Sequence, residues 1–273
     1  MTDGASAIDQ TNPSTARVYD YLLGGKDNYA ADRAIGDRFK VELPGSVAIA
    51  YTNRAALVRA VRHIALTTGI RQFLDLGSGL PTADNVHQVA QRHTPDAQVV
   101  YVDNDPIVLA HGRALLEEDD RTRVIQADVR DAEAIRRHPS VLEMIDFDRP
   151  VAVIMSAILH LVNDDEDPGA IVRYWREQVP SGSYFFISHF RSGDNPETTE
   201  AQNLALKAFG RGRWRTDEEI HALFDGLEIL EPGIVPCMAW RPDAAEGTPH
   251  IGAARSEPDV WEQLIVAGLA RKA

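Results

Sequence analysis

The sequence predicts an α/β fold in which helices cover both faces of a mostly parallel sheet. Short apolar segments alternate with helical patterns along most of the chain, as parallel strands joined by helices require. Four of the apolar segments end near an acid or a serine, and the first runs directly into a glycine turn. Because open α/β sheets bind ligands at the carboxyl ends of their strands, we expect a ligand site at that edge.

Composition and charge indicate a globular protein that acts on a small molecule. The 273 residues are 44% hydrophobic, which is enough for a sizeable core. The net charge of −13, from 28 basic and 41 acidic residues, argues against nucleic acid and anionic membranes as partners, because both call for a basic surface. Cys237 is the only cysteine, so no disulfide can form within the chain.

The start of the chain and its apolar runs predict a cytoplasmic protein with no membrane segment. The first residues lack the charged and apolar regions of a signal peptide, and the longest apolar run, residues 151–162, is too short to span a bilayer. Residues 1–13 are small and polar, which predicts a disordered tail.

The first strand and its glycine turn predict a site for a nucleotide-like cofactor. Residues 73–81 have the sequence FLDLGSGLP, in which a buried strand ends at Asp75 and two glycines follow. Gly77 and Gly79 permit backbone conformations closed to other residues and let a ligand lie against the main chain. Residues 81–91 have helical spacing, so the first turn of that helix directs free N–H groups toward the same place.

Three further strands supply side chains for such a cofactor. Residues 98–103 form an apolar segment ending in Asp103, whose carboxylate can accept both hydroxyls of a ribose. Residues 123–127 precede Asp128, which can accept the exocyclic amine of an adenine while the N–H of Val129 meets a ring nitrogen. Residues 150–156 form a fully apolar strand that ends at Ser156.

The pattern Asp75-x-Gly77-x-Gly79, together with Asp103 and Asp128, resembles the motifs of class I S-adenosylmethionine (SAM)-dependent methyltransferases. This resemblance covers residues 70–190. It implies a Rossmann-like fold with a seven-stranded, mostly parallel sheet, and SAM as the cofactor. Pro81 replaces the third glycine of the general motif, so backbone contacts beyond Gly79 do not follow from it.

A narrower resemblance spans nearly the whole chain. It rests on residues 16–32 (ARVYDYLLGGKDNYAAD), 80–82 (LPT), 85–87 (NVH), 101–106 (YVDNDP) and 240–242 (WRP). These segments resemble the actinobacterial S-adenosyl methyltransferase family, long catalogued as a domain of unknown function. The resemblance implies the cofactor and the fold, but it names no methyl acceptor.

Residues 14–69 are expected to form an N-terminal helical cap on a SAM-binding methyltransferase domain of residues 70–273. Ser14 can cap a short helix that stops at Gly24 and Gly25. A longer helix over residues 47–68 carries one apolar stripe that faces the sheet.

The polar and aromatic residues of this cap have two interpretations. In the first, Tyr21, Leu22 and Leu23 simply dock the cap, and the segment makes a modest contribution to the core. In the second, which is equally consistent with the residues, Tyr19 and Tyr29 beside Asn28 belong to a lid that the cofactor orders. The family resemblance favours the lid. Arg54 can reach a ligand carboxylate or remain solvated.

The rest of the chain continues the alternation and then departs from it. We expect an acidic, solvated loop at residues 164–167 before a helix that ends near Val179. Arg211, Arg213 and Arg215 form a basic cluster that either steers an anionic acceptor or neutralises a helix dipole. The other predicted elements are a helix at 106–117, a helix capped by Asp131, strand five at 184–189, a loop with a mobile helix at 192–215, a helix capped by Thr216, strand six at 227–230, a loop over the acceptor site at 232–256, and strand seven at 264–269.

Methyl transfer depends mostly on positioning, so few reactive side chains are needed. His160 and His189 follow or end strands at the cofactor-facing edge and titrate near neutrality, which makes them candidates for a catalytic base; each is also consistent with a structural role. The acidic loop lacks the spaced ligands of a calcium site, and we predict no metal.

These observations predict a SAM-dependent methyltransferase that acts on a small-molecule acceptor. Two other classes stay open, namely a non-catalytic SAM-binding regulatory protein and a nicotinamide-dependent oxidoreductase, although the second would require a small residue in place of Thr82. The candidate cofactor-binding residues are Tyr19, Asn28, Tyr29, Arg54, Asp75, Gly77, Ser78, Gly79, Leu80, Pro81, Asn85, Asp103, Asn104, Asp128, Val129, Ser156 and Ala157.

Overall fold

The computed structural model describes residues 9–116, 119–193, 195–242 and 259–273. Within these ranges an eight-stranded sheet is flanked by ten α-helices. The strands are β1 (Gln72–Leu76), β2 (Gln98–Asp103), β3 (Thr122–Gln126), β4 (Ala152–Ser156), β5 (Tyr184–Phe190), β6 (Glu228–Ile229), β7 (Val235–Pro236) and β8 (Ile265–Arg271). The helices are α1 (Thr15–Leu22), α2 (Ala30–Glu42), α3 (Ser46–Thr67), α4 (Val86–His93), α5 (Pro106–Leu115), α6 (Ala132–Arg137), α7 (Pro139–Met144), α8 (Pro168–Gln178), α9 (Pro196–Phe209) and α10 (Asp217–Ala222).

The sheet has the order β3-β2-β1-β4-β5-β8-β6, with β7 also paired to β8. Strands β1 to β5 are parallel and β8 is antiparallel to its neighbours. The carboxyl ends of β1 to β4 therefore meet at one edge, where Asp103 is in register with Gln126 and Ser156 with Ser188. The predicted α/β class with a mostly parallel sheet is confirmed.

The strand number differs from the predicted seven because the edge strand beside β8 consists of two short pieces, and the second piece, β7, lies in the predicted loop at 232–256. Both β6 and β7 pair with β8, β6 through Ile229 and β7 through Val235. Between them lie Pro232, which has no amide hydrogen for a strand partner, and Gly233, whose φ is +92°. A turn closed by the hydrogen bond from Gly233 N to Leu230 O interrupts the edge strand there.

Each face of the sheet has its own layer of buried side chains. Neighbouring residues of β1 belong to different layers, with Phe73 in the layer under α3 and α4 and Leu74 in the layer under α6, α7 and α8. Burial on both faces explains why β4 is apolar from Ala152 to Met155 and β2 from Val99 to Val102. The apolar stripe predicted for the long N-terminal helix is confirmed, since Leu57, Val61 and Ile64 are buried in the first layer.

The N-terminal segment makes the modest contribution to the core that the sequence predicts. Among residues 14–32, Val18 and Leu22 of α1 are the apolar side chains buried in the layer under α3. The sequence patterns gave no helix at α2, whose interior Gly36 lies against the ring of Tyr21; a Cβ there would stand 2.3 Å from Tyr21 Cδ1. The boundary between a cap and a methyltransferase domain at residue 69 stays a prediction.

Several predicted loops fall at the limits of the described residues. Of the predicted tail, residues 1–8 lie outside the described ranges, and residues 9–13 contain no helix or strand. Of the predicted loop at 232–256, residues 232–242 hold β7 and a one-turn 3-10 helix at Cys237–Ala239, and residues 243–256 are not described. In the described part of the chain, no helix is both long and apolar enough to cross a membrane.

Candidate active site

A cavity of about 690 Å³ opens at the carboxyl ends of β1 to β4. This is the edge at which open α/β sheets bind ligands. Its wall includes thirteen of the nineteen predicted site residues, namely Tyr19, Arg54, Asp75, Gly77, Ser78, Gly79, Asp103, Asn104, Asp128, Val129, Ser156, Ala157 and His160.

The glycine turn folds back over the end of β2. The N–H groups of Gly77 and Ser78 donate to Val102 O at 2.8 and 3.1 Å. Gly77 has a φ of +75°, and a Cβ on it would lie 2.4 Å from Ile158 Cγ1. Gly79 has a φ of +68°, and a Cβ on it would have no atom within 4 Å, so its side toward the cavity is open. Backbone conformation and close packing together require glycine at position 77.

Asp103 fixes this turn and also faces the cavity. Its Oδ2 accepts the N–H of Gly79 at 2.8 Å, and its Oδ1 accepts the N–H of Asp105 at 2.9 Å. Each carboxylate oxygen keeps a further acceptor position for a ligand. Burial raises the pKa of Asp103 to about 6.

Asp75 is a second acid on this wall and is almost fully buried. Burial raises its pKa to about 7, an effect that the charge of Arg54 opposes and that of Asp103 reinforces. Asp75 lies inside β1, one residue before the strand ends at Leu76, which corrects the expectation that the strand stops at this acid. A positively charged ligand would favour the ionised form of both acids. We call Asp75, Gly77, Gly79, Asp103 and Asp128 the strand-end wall.

Part of the Arg54 side chain is hydrogen-bonded within the protein. One terminal nitrogen donates to Asp84 O at 2.9 Å, which holds the loop before α4. Its Nε is buried and has no hydrogen-bond partner among the described residues. The side chain therefore retains a donor near Asp75.

Asp128 has a basic partner that the sequence did not reveal. Arg130 Nε donates to Asp128 Oδ1 at 2.9 Å and, through this bond, holds the pKa of Asp128 below its usual range. Arg130 also binds Glu166. Arg130 therefore occupies some of the hydrogen-bond acceptor positions of Asp128 that an adenine amine would use.

A buried polar network lies where α3 crosses β4 and β5. Asn53 Nδ2 donates to Tyr19 Oη at 3.1 Å and to Ser156 Oγ at 3.3 Å, and Asn53 Oδ1 accepts from Ser188 Oγ at 2.6 Å. Ser188 Oγ also accepts the N–H of Ala157 at 2.9 Å. Asn53 and Ser188 were not predicted site residues, and the one available signal was a polar residue within the apolar stripe of α3.

The two candidate histidines have different surroundings. His160 lines the cavity, with its ring centroid 4.7 Å from that of Phe190, and its Nδ1 is buried without a partner among the described residues. Burial, and then the nearby His189 and Arg215, hold the pKa of His160 well below its usual value. The ring is therefore neutral at pH 7.

His189 is fully buried and is absent from the described wall of the cavity. Its Nε2 lies 3.0 Å from a terminal nitrogen of Arg215, which can only donate, so Nε2 accepts. Its Nδ1, 2.6 Å from Phe190 O, then carries the proton. Burial lowers the pKa of His189 to about 3. Both ring nitrogens are committed, which leaves neither for an acceptor.

Five predicted cofactor contacts are absent from the described wall of the cavity, and some of them have structural roles. Asn28 Nδ2 donates to Asp20 Oδ2 at 2.8 Å, and Asn85 caps α4. Tyr29 precedes α2 and packs on a small buried cluster that contains Leu80. The five residues outside the described wall are Asn28, Tyr29, Leu80, Pro81 and Asn85.

The basic cluster and the acidic loop bind each other. Arg211 pairs with Glu166 Oε2 at 2.5 Å, and Arg213 and Arg215 pair with Asp164 at 2.7 and 2.9 Å. Each of the three arginines therefore has a carboxylate partner, so neither an anionic acceptor nor a helix dipole is needed to account for the basic cluster. The acidic loop is largely solvated as predicted, since Asp164, Asp165 and Asp167 are exposed. Among the described residues no group of three or more His, Cys, Asp and Glu side chains could hold a metal ion.

The cavity continues along apolar side chains. The rings of Phe190 and Trp214 stack with centroids 4.9 Å apart and planes 12° apart, and the ring of His160 meets Phe190 edge-on. We call these three residues the aromatic wall. Further apolar residues beside it include Leu206, Phe209 and Leu264.

Solved structures give two close likenesses over the whole chain. A crystal structure of a candidate methyltransferase from Thermobifida fusca YX is 44% identical, with a TM-score of 0.90 and 100% of this chain matched to 99% of the other. A DUF574 family protein from Streptomyces avermitilis MA-4680 is 39% identical, with a TM-score of 0.90 and coverage of 97% and 100%. An O-methyltransferase family protein from Burkholderia thailandensis is 14% identical, with a TM-score of 0.52 and coverage of 84% and 60%, and it shares the fold alone.

No curated protein gives a significant match to the chain. The family model described as S-adenosyl methyltransferase matches residues 1–273. The resemblance inferred from the motifs is therefore confirmed. The chain belongs to the S-adenosyl methyltransferase family and is a SAM-dependent methyltransferase.

Proposed function

We propose that this protein transfers the methyl group of SAM to a small-molecule acceptor, with both molecules held in the cavity at the strand ends. The observation that carries the proposal is the continuity between a charged and an apolar part of one cavity. Ile158 packs against Gly77 of the strand-end wall, and His160, two residues later, contacts Phe190 of the aromatic wall. A short segment thus joins a place for a charged cofactor to a place for a less polar molecule.

The residues of the strand-end wall fit SAM. The open side of Gly79 leaves room for a ligand against the backbone, and Asp103 has spare acceptor positions beside it for ribose hydroxyls. Asp75 can neutralise positive charge, and the free Nε of Arg54 can donate to a carboxylate. Asp128 and Val129 remain the proposed contacts to adenine. When bound, SAM supplies a methyl group on a positively charged sulfur.

His160 is the proposed group that receives the acceptor's proton. It is neutral at pH 7 and lies on the cavity wall, so an acceptor hydroxyl can hydrogen-bond to its ring. Tyr19, Asn53 and Ser156 form a fixed polar patch on the same wall that can orient the acceptor and the cofactor. The chain's contribution is positioning, exclusion of water and a place for one proton.

The N-terminal segment is proposed to cover the cofactor. Pro13, Ser14, Arg17 and Tyr19 line the cavity, which supports a cover formed by residues 13–19. Limited proteolysis near Arg17, Lys26 and Arg33, with and without S-adenosylhomocysteine (SAH), tests this role. Protection by SAH supports a lid, whereas equal cutting in both samples contradicts a cover that the cofactor orders.

The function is tested first by binding. Calorimetry with SAM, SAH and NADH should show binding of the first two alone; binding of NADH without SAM would overturn the proposal. A screen of small hydroxylated acceptors with methyl-labelled SAM then follows. Binding of SAM with no transfer to any acceptor would favour a regulatory SAM-binding protein.

The role of His160 is tested by His160→Gln once an acceptor is known. Loss of a positioned base lowers kcat by about 10²- to 10⁴-fold. The SAM dissociation constant should be unchanged, because the contacts of the strand-end wall are intact. An unchanged kcat would remove His160 from the mechanism.

A further inference from the structure

The aromatic wall is a preformed surface for a flat molecule. Trp214 and Phe190 stack nearly parallel, with 12° between their planes, and the His160 ring stands at 71° to Phe190. Trp214 is itself almost fully buried, and its backbone N–H is held by Gln202 Oε1 at 2.9 Å, so the stack is fixed to α9. Ring systems favour offset or edge-on contact with such side chains over contact with water.

The aromatic wall has no uncompensated charge. Among the described residues, the charged side chains of the cavity lie at the strand ends, in the N-terminal segment or on α3, apart from Arg211. Arg211 is occupied, since its Nε donates to Leu161 O at 2.8 Å and a terminal nitrogen binds Glu166. A charged molecule placed there would lose its hydration without gaining a partner.

The size of the cavity limits the second ligand. The whole cavity measures about 690 Å³, which is in the range of a single small-molecule site of about 300–1,000 Å³. The same volume must also hold the cofactor. The space left beside the aromatic wall is therefore suited to one or two fused rings.

We propose that the aromatic wall binds an uncharged, planar compound of one or two rings that carries a hydroxyl group, with a ring face or edge against Phe190 and the hydroxyl near His160. That this compound is the methyl acceptor rests on the function proposed above. The binding site itself does not, because it is formed by the chain alone.

Three probes built on the same bicyclic ring system test the proposal by calorimetry, with and without SAH. They are 2-naphthol, which is aromatic and uncharged at pH 7; 2-naphthoate, which is aromatic and anionic; and decahydro-2-naphthol, which is uncharged and not aromatic. We expect 2-naphthol to bind about tenfold more tightly than either of the others. Equal or tighter binding of 2-naphthoate or of decahydro-2-naphthol, or no binding of 2-naphthol, overturns the proposal.

Phe190→Leu provides the matched variant, and Phe147→Leu its control. Phe147 also stacks on a tryptophan, Trp175, but belongs to the other layer of the core and is absent from the described cavity wall. Phe190→Leu should weaken 2-naphthol about tenfold and leave the SAH dissociation constant unchanged, while Phe147→Leu changes neither. Equal effects of the two variants would contradict a site on Phe190.

The two proposals fail separately. If SAH does not bind, the proposed function fails whatever the naphthol result. If SAH binds and 2-naphthol does not, the ring site fails and the methyltransferase assignment stands. The comparison of the three probes uses the unmodified chain, so it decides the ring proposal even if Phe190→Leu does not fold.

Discussion

The strand-end wall and the aromatic wall line one cavity but are built differently. Asp75, Asp103 and Asp128 reach the strand-end wall because parallel strands in register end at one edge. The aromatic wall instead depends on a segment around Trp214 that folds back over β5 through the pairing of Arg191 with Arg215. The sheet alone therefore fixes the charged wall, whereas tertiary contacts outside the alternating pattern fix the apolar one.

The largest expected effect concerns the N-terminal segment, which lines the cavity beside the strand-end wall. Arg17 Nε lies 2.9 Å from Asp32 Oδ2, and both side chains are buried. Arg17→Ala leaves Asp32 buried without its cation, and we expect the free energy of unfolding in urea to fall by about 3–5 kcal/mol. The control is Arg38→Ala, which removes an exposed pair with Glu42 and should cause no measurable loss. If both variants lose the same free energy of unfolding, the buried pair of Arg17 and Asp32 does not stabilise the N-terminal segment.

Asp103→Ala should separate the two walls. Removing hydrogen bonds to a charged group is expected to raise the SAM dissociation constant about 10- to 100-fold, while 2-naphthol affinity stays constant. Some stability is lost as well, because Asp103 holds the N–H groups of Gly79 and Asp105. Asp131→Ala is the control, since it removes only the cap of α6 and should leave SAM affinity unchanged. A SAM affinity of Asp103→Ala equal to that of the parent would exclude Asp103 from the site.

The buried acids predict opposite pH trends for stability and for binding. Burial raises the folded-state pKa of Asp75 to about 7 and of Asp103 to about 6, from 3.8. In the folded protein these two acids hold protons that the unfolded chain has released, so their contribution to the free energy of unfolding decreases as pH rises from about 4 to about 7. The buried His160 and His189, whose pKa values are lowered, contribute the opposite trend, so the effect of the acids is measured as the difference between the parent and Asp75→Asn. SAM is positively charged and favours the ionised acids, so its affinity should increase from about pH 5 to about pH 8.

Asp75→Asn isolates the contribution of one of these two acids. The variant lacks the carboxyl group that titrates near pH 7. The increase in SAM affinity above about pH 6.5 should therefore flatten, while the increase that is due to the titration of Asp103 remains. Calorimetry in buffers of different ionisation enthalpy measures the protons released on binding. If the variant and the parent release the same number of protons near neutral pH, Asp75 does not change its protonation when SAM binds.

The smallest expected effect concerns Glu166, whose two ion pairs link the strand-end wall to the aromatic wall. Glu166 binds Arg130, the partner of Asp128, and Arg211, which holds Leu161 O beside the aromatic wall. Glu166→Gln weakens both partly exposed pairs, so the dissociation constants of SAM and 2-naphthol should each rise about two- to threefold, and less at high salt. Glu228→Gln, which loses an exposed pair with Arg271 and is absent from the described cavity wall, is the control. A change in only one of the two constants would argue against a link.

The sequence predicted the strand-end wall well because that wall follows from local patterns. An apolar strand followed by an acid or a glycine turn is visible in the chain, and Asp75, Gly77, Gly79 and Asp103 all line the cavity. Asn85 shows the limit of such patterns. An asparagine before a helix serves equally as a cap or as a ligand contact, and here it caps α4.

The remaining features depend on pairs of residues that are distant in the chain. Asn53 meets Ser188 across 135 residues, and Arg211 meets Glu166 across 45 residues. Local spacing contains no signal for such contacts, so the polar network and the mutual pairing of the arginine and acid clusters emerge only in the folded structure. Helix α2 was missed for a related reason, since its interior glycine is explained by the ring of Tyr21 from another helix.

The start of α1 is attached to the start of α5. Ser14 Oγ donates to Asp105 Oδ2 at 2.5 Å, and Arg17 approaches the same carboxylate at 3.5 Å, although Ser14 and Asp105 are 91 residues apart. During synthesis on the ribosome, residues 14–17 emerge long before their partner exists. Contacts of α1 with α2 and α3 can form earlier, but its attachment to Asp105 has to wait until β2 and α5 have emerged, so this edge of the cavity is completed among the later events of folding.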